Sequence, residues 1–370
     1  MKKIAVIGIR GYPYVYGGYE TLIKEISERL STDDFEFTIY CHKNLFSNYP
    51  KVINKINLIY IPTVKMKSLS TLLHSFLSTL HACLFAKYDF ILYVNTANGP
   101  FGLLTKLFRV KTAINTDGLE WERPKWRGVG SKYFYYSSYL STKLFDIKIS
   151  DSLEMQKIYK ETFKAKSTFI PYGGIIRFSQ NSKLIEAFKL EKLDYYLVVG
   201  RLIPDNNVDF ILEEYRRTNS RKKLVIVGDV LYKDKFANKM KKYASDKIIF
   251  TGYVKDQDLL AELYHNCYGY IHGHEYGGTN PTLLKALAYG APILALNTIF
   301  SKEVLDGSKY GILFDKKKGK LSNIILNIEK DISITNSLRE ISRDKIHTMY
   351  NWEMVSNDYK KLIMKEINAR

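Results

Sequence analysis

Short apolar runs alternate with longer amphipathic runs along the first half of the chain. The apolar runs predict strands at residues 3–9, 35–40, 58–61, 90–94, 111–115, 147–150 and 168–170. Helical periodicity predicts helices at residues 20–30, 69–86, 100–107 and 152–159. Because strands and helices alternate, the predicted fold class is α/β with a mostly parallel sheet.

The same pattern starts again after a polar stretch at residues 174–194, which we interpret as a linker. Strands are predicted at residues 195–199, 223–227 and 248–250, and helices at residues 208–217, 235–244, 256–264, 342–350 and 352–367. A chain of 370 residues exceeds what one hydrophobic core usually serves. We therefore predict an N-terminal domain (1–175), a second α/β domain (190–345) and a C-terminal helix (346–370) that returns to the first domain.

The stretch IHGHEYGGTNPTLLKALAYGAPILAL at residues 271–296 combines a strand end, a glycine-rich loop and a helix. Asn280 is a good N-cap and Pro281 suits the first helical position. A helix N-terminus that leaves such a loop offers free amides and a positive dipole end to phosphate. An ordinary strand-to-helix turn remains the alternative.

Other loops at the predicted carboxyl ends of strands supply further candidates, because ligands of α/β sheets bind there. Arg201 follows the strand at 195–199, where a guanidinium can clamp a diphosphate. Gly17 and Gly18 lie between the first strand and the first helix, although the loop is not G-x-G-x-x-G. The loop 117–136 mixes aromatic and basic residues, as a sugar-binding surface, an interface or a solvated loop would.

Composition narrows the classes of partner. The formal charge of +18 favours an anionic partner, unless it reflects compositional bias, and no nucleic-acid motif is visible. Three separated cysteines, Cys41, Cys83 and Cys267, indicate a reducing cytoplasm. The N-terminus is too short an apolar run for a signal peptide. Residues 69–86 make a poor membrane span, so a buried helix or a membrane-surface helix is expected.

Binding of a phosphate or diphosphate at these loops does not require a metal if Arg201 and the helix amides balance its charge. His272 and His274 are spaced i, i+2 on a loop, which is poor spacing for metal ligands, and no Asp-x-Asp motif occurs. The two histidines are interpreted either as polar contacts to a bound ligand or as packing at a strand end.

Several motifs together resemble family 4 glycosyltransferases of the GT-B fold. The second half contributes GRLIPDNN (200–207), FTGY (250–253), GHEYGGTNPTLLKALAYGAPILA from Gly273, and YNWEMVSNDY (350–359). The first half contributes GIRGYPYVYGGYET (8–21) and NTDGLEWERPKW (115–126), which resemble a bacterial rhamnosyltransferase-like subgroup of capsule and surface polysaccharide synthesis.

This resemblance implies two Rossmann-like domains that face each other across a cleft, with C-terminal helices that cross back. It implies metal-independent, retaining transfer from a nucleotide-sugar, with dTDP-L-rhamnose as the expected donor. The expected acceptor is a lipid-diphosphate-linked oligosaccharide that docks on the first domain. The protein is then expected in the cytoplasm, peripheral at the inner, anionic membrane surface, and not on nucleic acid.

The resemblance also implies roles for individual residues. Asp117, Glu275 and Arg201 are the expected catalytic residues, with Glu275 on donor-sugar hydroxyls and Arg201 on the diphosphate. Gly17 and Gly18 are expected to close over the diphosphate. The donor-binding set comprises Gly17, Gly18, Arg201, Asn206, Tyr253, His274, Glu275, Gly277, Gly278, Thr279, Asn280 and Lys285.

Two positions depart from the family pattern. Lys285 stands where the family places a glutamate on the ribose hydroxyls, and a lysine cannot accept those hydrogen bonds. Asn206 stands where most relatives place a second diphosphate lysine. Lys285 motivates the alternative of a non-catalytic GT-B scaffold or partner subunit that binds lipid-linked glycan. A NAD-type oxidoreductase is disfavoured because G-x-G-x-x-G is missing, and a GT-B epimerase has no motif in its support.

Overall fold

The chain divides into two units in the computed structural model, which describes residues 1–13, 17–32, 34–64, 69–116, 118–126, 128–230 and 234–369. The first unit comprises residues 1–172 and 352–370, and the second comprises residues 173–351. The predicted domain limits at 175, 190 and 345 lie near these divisions. The segment predicted as a linker is assigned to the second unit.

The first unit is built on an eight-stranded sheet. Its strands are β1 (Lys2–Ile7), β2 (Phe35–His42), β3 (Val52–Ile53), β4 (Ile56–Ile61), β5 (Phe90–Val94), β6 (Lys111–Asn115), β7 (Ile147–Ser150) and β8 (Thr168–Phe169). Their order is β3-β4-β2-β1-β5-β6-β7-β8, and only β3 and β4 pair antiparallel. The central strands are apolar on both sides because helices cover both faces of a parallel sheet.

Six helices accompany this sheet. They are α1 (Gly18–Leu30), α2 (Leu69–Leu84), α3 (Gly102–Leu107), α4 (Val129–Leu144), α5 (Leu153–Phe163) and, from the end of the chain, α14 (Trp352–Asn368). The C-terminal helix α14 packs against α1. Asn115 donates a buried hydrogen bond to the Tyr359 hydroxyl at 2.9 Å, and Lys360 pairs with Asp34 at 2.7 Å. These contacts fasten the last helix to the first unit.

The prediction of a loop throughout residues 117–136 is wrong from Val129 onward, where α4 begins. This helix buries small hydroxyl residues that a hydrophobic pattern does not reveal. Ser137 donates to the carbonyl oxygen of Thr96 at 2.5 Å, and Ser138 donates to the Thr96 hydroxyl at 3.1 Å. Packing against the 3-10 segment Thr96–Phe101 therefore stabilises a helix that lacks an obvious apolar stripe.

The second unit is built on a parallel six-stranded sheet in the order β11-β10-β9-β12-β13-β14. Its strands are β9 (Tyr195–Val199), β10 (Lys223–Val227), β11 (Ile248–Gly252), β12 (Gly269–His272), β13 (Ile293–Leu296) and β14 (Ile312–Phe314). Its helices are α6 (Val208–Thr218), α7 (Lys235–Lys241), α8 (Gln257–Asn266), α9 (Pro281–Ala288), α10 (Ile299–Val304), α11 (Lys320–Lys330), α12 (Ile332–Ile341) and α13 (Asp344–Thr348). The predicted helix at 342–350 is shorter, because α12 ends at Ile341.

The segment that precedes β9 is held on α8 by the buried carboxylate of Glu262. This carboxylate accepts hydrogen bonds from the Ser179 hydroxyl at 2.7 Å and from the backbone N–H groups of Gln180 and Asn181 at 2.6 and 2.8 Å. Burial alone would raise the pKa of Glu262, but these donors lower it. The segment predicted as a linker is therefore anchored to the second unit.

The cysteines and the longest apolar helix bear on the predicted compartment. Cys41 and Cys267 are buried, Cys83 is half-buried, and all three are free thiols. Within the part of the chain that the structure describes, no helix combines the length and the hydrophobicity needed to cross a bilayer.

Candidate functional site: a polar pocket at the carboxyl edge of the second sheet

The loop from β12 to α9 forms the centre of the site. Asn280 caps α9, since its side-chain oxygen accepts from the Thr282 N–H at 2.9 Å and from the Thr282 hydroxyl at 2.7 Å. Pro281 is the first helical residue, so the predicted cap is confirmed. Gly277 has φ of 118°, a conformation that residues with a side chain rarely adopt. The loop thus reaches the helix N-terminus through a turn that requires glycine.

A pocket of about 210 Å³, including solvent at its mouth, lies against this loop. Its walls are His272, His274, Glu275, Gly277, Gly278, Asn280, Leu283, Thr298, Phe300 and Ser301. The last three follow β13, Thr298 as the N-cap of α10 and Phe300 and Ser301 within that helix, and the sequence interpretation missed them. Because β13 pairs in parallel with β12, the loops after both strands leave the same edge of the sheet. This adjacency was the one signal that could have identified them.

His272 is buried at the base of the pocket and is neutral. Burial lowers its pKa to about 3. Its Nδ1 lies 3.0 Å from the Tyr270 hydroxyl, which donates its single proton to Thr282 at 3.1 Å. The ring must therefore donate from Nδ1, which leaves Nε2 as a hydrogen-bond acceptor. A chain of hydrogen bonds joins the last strand residue to the N-cap of α9.

His274 and Asn206 connect two loops of the site. The Asn206 amide donates to the carbonyl oxygen of Arg201 at 2.8 Å, and its oxygen lies 2.8 Å from Nδ1 of His274. The amide orientation set by Arg201 means that His274 donates from Nδ1. Asn206 thus orders the loops after β9 and β12, a role that the comparison with a diphosphate lysine did not suggest.

Arg201 lies next to this network with an exposed side chain. Among the described residues no carboxylate pairs with its guanidinium. Because β9 and β12 are neighbours in the sheet, Arg201 and the pocket loop share the same edge. An unpaired guanidinium beside a helix N-terminus is suited to an anionic ligand.

Glu275 is oriented by two donors. One oxygen of its carboxylate accepts from the Asn207 amide at 3.0 Å and from the Lys316 ammonium at 2.8 Å. Its backbone N–H donates to the carbonyl oxygen of Asp205 at 3.0 Å. The side chain is still 29% exposed, so the carboxylate keeps access to the pocket that it lines. Lys316 comes from the loop after β14, and the sequence interpretation did not assign it to the site.

Lys285 and Tyr253 lie near the site but are not among the pocket walls. The Lys285 ammonium donates to the side-chain oxygen of Gln257, the first residue of α8, at 3.1 Å. Tyr253 follows β11 at the edge of the sheet and is 53% exposed. The remaining predicted loop residue, Thr279, is buried beside the N-cap.

Three predicted site residues, Gly17, Gly18 and Asp117, belong to the first unit. Gly17 is the N-cap of α1 and Gly18 is its first residue. A Cβ at Gly17 would lie 3.0 Å from a carboxylate oxygen of Glu20. Asp117 lies outside the described residues. Within those residues no group of three or more His, Cys, Asp or Glu side chains is arranged to hold a metal.

Two family matches divide the chain nearly as the structure does. Residues 180–345 match the family described as Glycosyl transferases group 1, and residues 1–175 match a domain of unknown function, DUF1972. No curated protein matches the sequence.

Solved structures resemble the whole chain at low sequence identity. A sucrose-phosphate synthase from Thermosynechococcus elongatus is 17% identical with a TM-score of 0.85, and each chain is covered over 100%. HepE of Anabaena in complex with UDP is 14% identical with a TM-score of 0.78, and 99% of this chain and 100% of that chain are covered. A trehalose-phosphate synthase from Burkholderia vietnamiensis is 8% identical with a TM-score of 0.72, with coverage of 99% and 100%.

Such identities establish the fold alone. The chain therefore has the GT-B fold, and within it residues 180–345 match the model of glycosyl transferases group 1.

Proposed function

We propose that the protein is a glycosyltransferase that moves rhamnose from dTDP-L-rhamnose to a lipid-diphosphate-linked glycan, in capsule or surface polysaccharide synthesis. The observation that carries this proposal is the shared sheet edge of Arg201 and the capped N-terminus of α9. Both favour an anionic group, and a nucleoside diphosphate is the anionic leaving group of this family. The match of residues 180–345 to glycosyl transferases group 1 supports the same reaction class.

The donor contacts follow from the geometry of the second unit. Arg201 binds the diphosphate, and the amides of the Gly277–Asn280 loop bind phosphate and sugar oxygens. The Glu275 carboxylate, held by Lys316 and Asn207, accepts from sugar hydroxyls. Phe300 and Leu283 form an apolar side of the pocket that suits the methyl group of a 6-deoxy sugar. Tyr253 and Lys285 flank this site and contact the nucleotide.

The reaction exchanges one bond of the anomeric carbon for another with retention of configuration. The bond from the sugar carbon to the diphosphate oxygen breaks, and a bond to the acceptor hydroxyl oxygen forms. The proton of that hydroxyl passes to the departing diphosphate, whose developing charge Arg201 and the helix amides stabilise. No metal is required. Asp117, Gly17 and Gly18 of the first unit act on the acceptor side and over the diphosphate.

The test is transfer from radiolabelled dTDP-rhamnose to a lipid-linked acceptor in detergent, with UDP-glucose as the competing donor. UDP-glucose is the control because a HepE structure contains it. We expect transfer of rhamnose in preference to glucose. Glucose transfer alone would contradict the donor assignment, and no transfer from any nucleotide-sugar would contradict the enzyme assignment.

A non-catalytic scaffold is the second candidate, favoured by the lysine at position 285. Calorimetry with dTDP separates the two, because a scaffold need not bind a nucleoside diphosphate. Lys285→Glu sharpens the result. Under the enzyme proposal this change weakens dTDP binding, since it removes a lysine that contacts the nucleotide; a large gain in turnover would instead indicate a degenerate site.

The acceptor also sets the place of action. A lipid-diphosphate-linked oligosaccharide is held in a membrane, so the protein works in the cytoplasm as a peripheral protein of the inner membrane surface. Cell fractionation tests this placement, with recovery in the membrane fraction at low salt as the expected result.

A further inference from the structure

The outward side of α2, α3 and α4 in the first unit carries large apolar side chains that the described residues leave exposed. We call this surface the helical face. Its exposed apolar members are Phe76, Leu84, Phe85, Leu103, Leu107, Phe108, Val129, Tyr136 and Tyr139.

The three helices are neighbours, so their exposed side chains form one surface. The ring of Phe76 in α2 lies 5.9 Å from the ring of Phe101, which directly precedes α3. The Lys106 ammonium of α3 donates to the carbonyl oxygen of Lys143 in α4 at 3.1 Å. Phe85 and Leu107 are 78% and 75% exposed, which is unusual for side chains of this size.

The exposed residues of α4 form a regular stripe along that helix. Val129, Lys132, Tyr136, Tyr139 and Lys143 recur at spacings of three and four residues. Val129 is 85% exposed, whereas the opposite side of the helix is buried. The stripe combines apolar, aromatic and cationic side chains, as in helices that lie in a membrane interface.

The charged side chains on the three helices of the helical face have one sign, and Asp146, which follows α4, borders Lys106 and Arg109. The helices α2, α3 and α4 contain no aspartate or glutamate, although the chain has 38 acidic residues. Lys106, Lys132 and Lys143 lie on these helices, and Lys87 and Arg109 follow α2 and α3. An apolar surface whose helices carry several cations and no carboxylate complements a layer of anionic headgroups.

We propose that the helical face docks directly on an anionic lipid bilayer, with its apolar side chains in the interface and its lysines on lipid phosphates. A second copy of the chain fits this surface poorly. A two-fold contact would bring the lysines of both copies together without a carboxylate on the helices to compensate. The inference rests on the proposed function only in that a lipid-linked acceptor lies in a membrane.

The experiment measures vesicle binding without donor or acceptor, so its outcome is independent of transfer. The full chain is floated with phosphatidylcholine vesicles and with vesicles of phosphatidylcholine and phosphatidylglycerol. We expect binding to the anionic vesicles, weakened several-fold when salt rises from about 0.05 to about 0.5 M. No binding to the anionic vesicles would overturn the inference even if transfer to a detergent-soluble acceptor is observed.

Paired variants locate the surface. Leu107→Ser with Tyr136→Ser is expected to lower the partition coefficient at least about tenfold, and Leu326→Ser with Ile332→Ser in the second unit to leave it unchanged. Lys132→Gln with Lys143→Gln is expected to lower binding about thirtyfold, at roughly 1 kcal/mol per lysine near an anionic surface. Its control, Lys239→Gln with Lys242→Gln, removes the same charge from the second unit.

Folding and self-association are checked in the same variants. The thermal melting of each variant is compared with that of the parent protein, and Leu107→Ser alone replaces the pair if the pair melts early. Unchanged vesicle binding by folded helical-face variants would overturn the inference. A parent dimer in analytical ultracentrifugation that these variants dissociate would assign the surface to a second copy instead.

Discussion

The two units place their polar and apolar groups differently on the same α/β architecture. At the carboxyl edge of the second sheet, polar side chains are paired into an ordered network around a pocket. In the first unit, the buried rings of His42 and His74 stack 3.8 Å apart, and neither Nε2 has a hydrogen-bond partner within the described residues. Most large exposed apolar side chains also belong to the first unit. Ordered polar contacts are therefore concentrated at one sheet edge of the second unit, and large exposed apolar side chains are concentrated on the first unit.

Acidification is expected to have the largest effect, because it acts on the buried histidines that distinguish the first unit. Burial lowers the pKa of His42 to about 3 and that of His74 to about 4, below the unfolded value of 6.5. The unfolded chain therefore takes up protons first, so this stability is complete above pH 6.5 and is lost as the pH falls toward these folded values. When the pH falls from 7 to 5, we expect each ring to lower the free energy of unfolding by about 2 kcal/mol.

Hydrogen exchange resolved by peptide measures this loss in the first unit. His74→Leu is the informative variant, because among the described residues neither nitrogen of this buried ring has a partner in good hydrogen-bond geometry. We expect this variant to be nearly as stable as the parent protein at pH 7. At pH 5 we expect it to lose less stability than the parent does. An equal acid loss in His74→Leu and the parent would show that this ring is not responsible. His272 is buried in the second unit with a similarly lowered pKa, so some acid loss is expected there too.

Both units have a glycine directly after a strand, where the backbone closely approaches a neighbouring segment. Gly228 follows β10 with φ of 125°, and a Cβ there would lie 2.0 Å from the carbonyl oxygen of Gly200. Gly8 follows β1 with φ of 111°, and its Cβ would lie 2.4 Å from the carbonyl oxygen of Val94. We expect Gly228→Ala and Gly8→Ala to lower the free energy of unfolding by about 3 kcal/mol or more, in urea unfolding followed by circular dichroism.

Gly307→Ala is the matched control for backbone strain alone. Gly307 has φ of 69°, and a Cβ there meets nothing within 4 Å. The expected cost is about 1 kcal/mol. If the three variants were equally destabilised, the close approach of strand and loop backbone would not be the cause.

Arg201→Ala tests whether the ordered edge of the second unit binds the donor. We expect at least about a tenfold loss of kcat/KM, because the diphosphate loses a charge-assisted contact. Arg221→Ala removes an exposed arginine that precedes β10, at the opposite edge of the sheet, and is the control. Equal activity of the Arg201 and Arg221 variants would remove Arg201 from the site.

Lys316→Met tests the smallest of these effects, the orientation of Glu275. The pair is partly exposed, so we expect about a threefold change, mainly in KM for the donor. Lys316→Arg is expected to restore the parental value, and Lys317→Met serves as the charge control. A change in Lys317→Met of the same size would mean that general charge, not the contact with Glu275, sets the effect.

Much of the secondary structure followed from local pattern. The strands at 90–94, 111–115, 147–150, 195–199 and 223–227 have the predicted bounds, because each is an apolar run closed by polar or glycine residues. The short strands β3 and β14 and the helices α4 and α10 were missed. Their residues are too few, or their buried faces too polar, for periodicity to reveal them.

Within the candidate site, the sequence predicted contacts only between residues that are close together in the chain. The cap at Asn280 and the turn at Gly277 depend on neighbouring residues, so a local pattern is sufficient. Lys316 is separated from Glu275 by 41 positions, and Asn206 from His274 by 68. The roles of the predicted catalytic residues, including Asp117, stay predictions.

The sequence by itself determined the two-part α/β pattern, the cationic charge and the loop that opens α9, because these follow from composition and from residues a few positions apart. Only the tertiary structure decided which loops share a sheet edge and which surfaces remain uncovered. It joined Lys316 to Glu275 and Asn206 to His274, and it brought three acid-free helices into one face. The physical reason is strand order, since parallel pairing makes neighbours of segments that lie far apart in the chain.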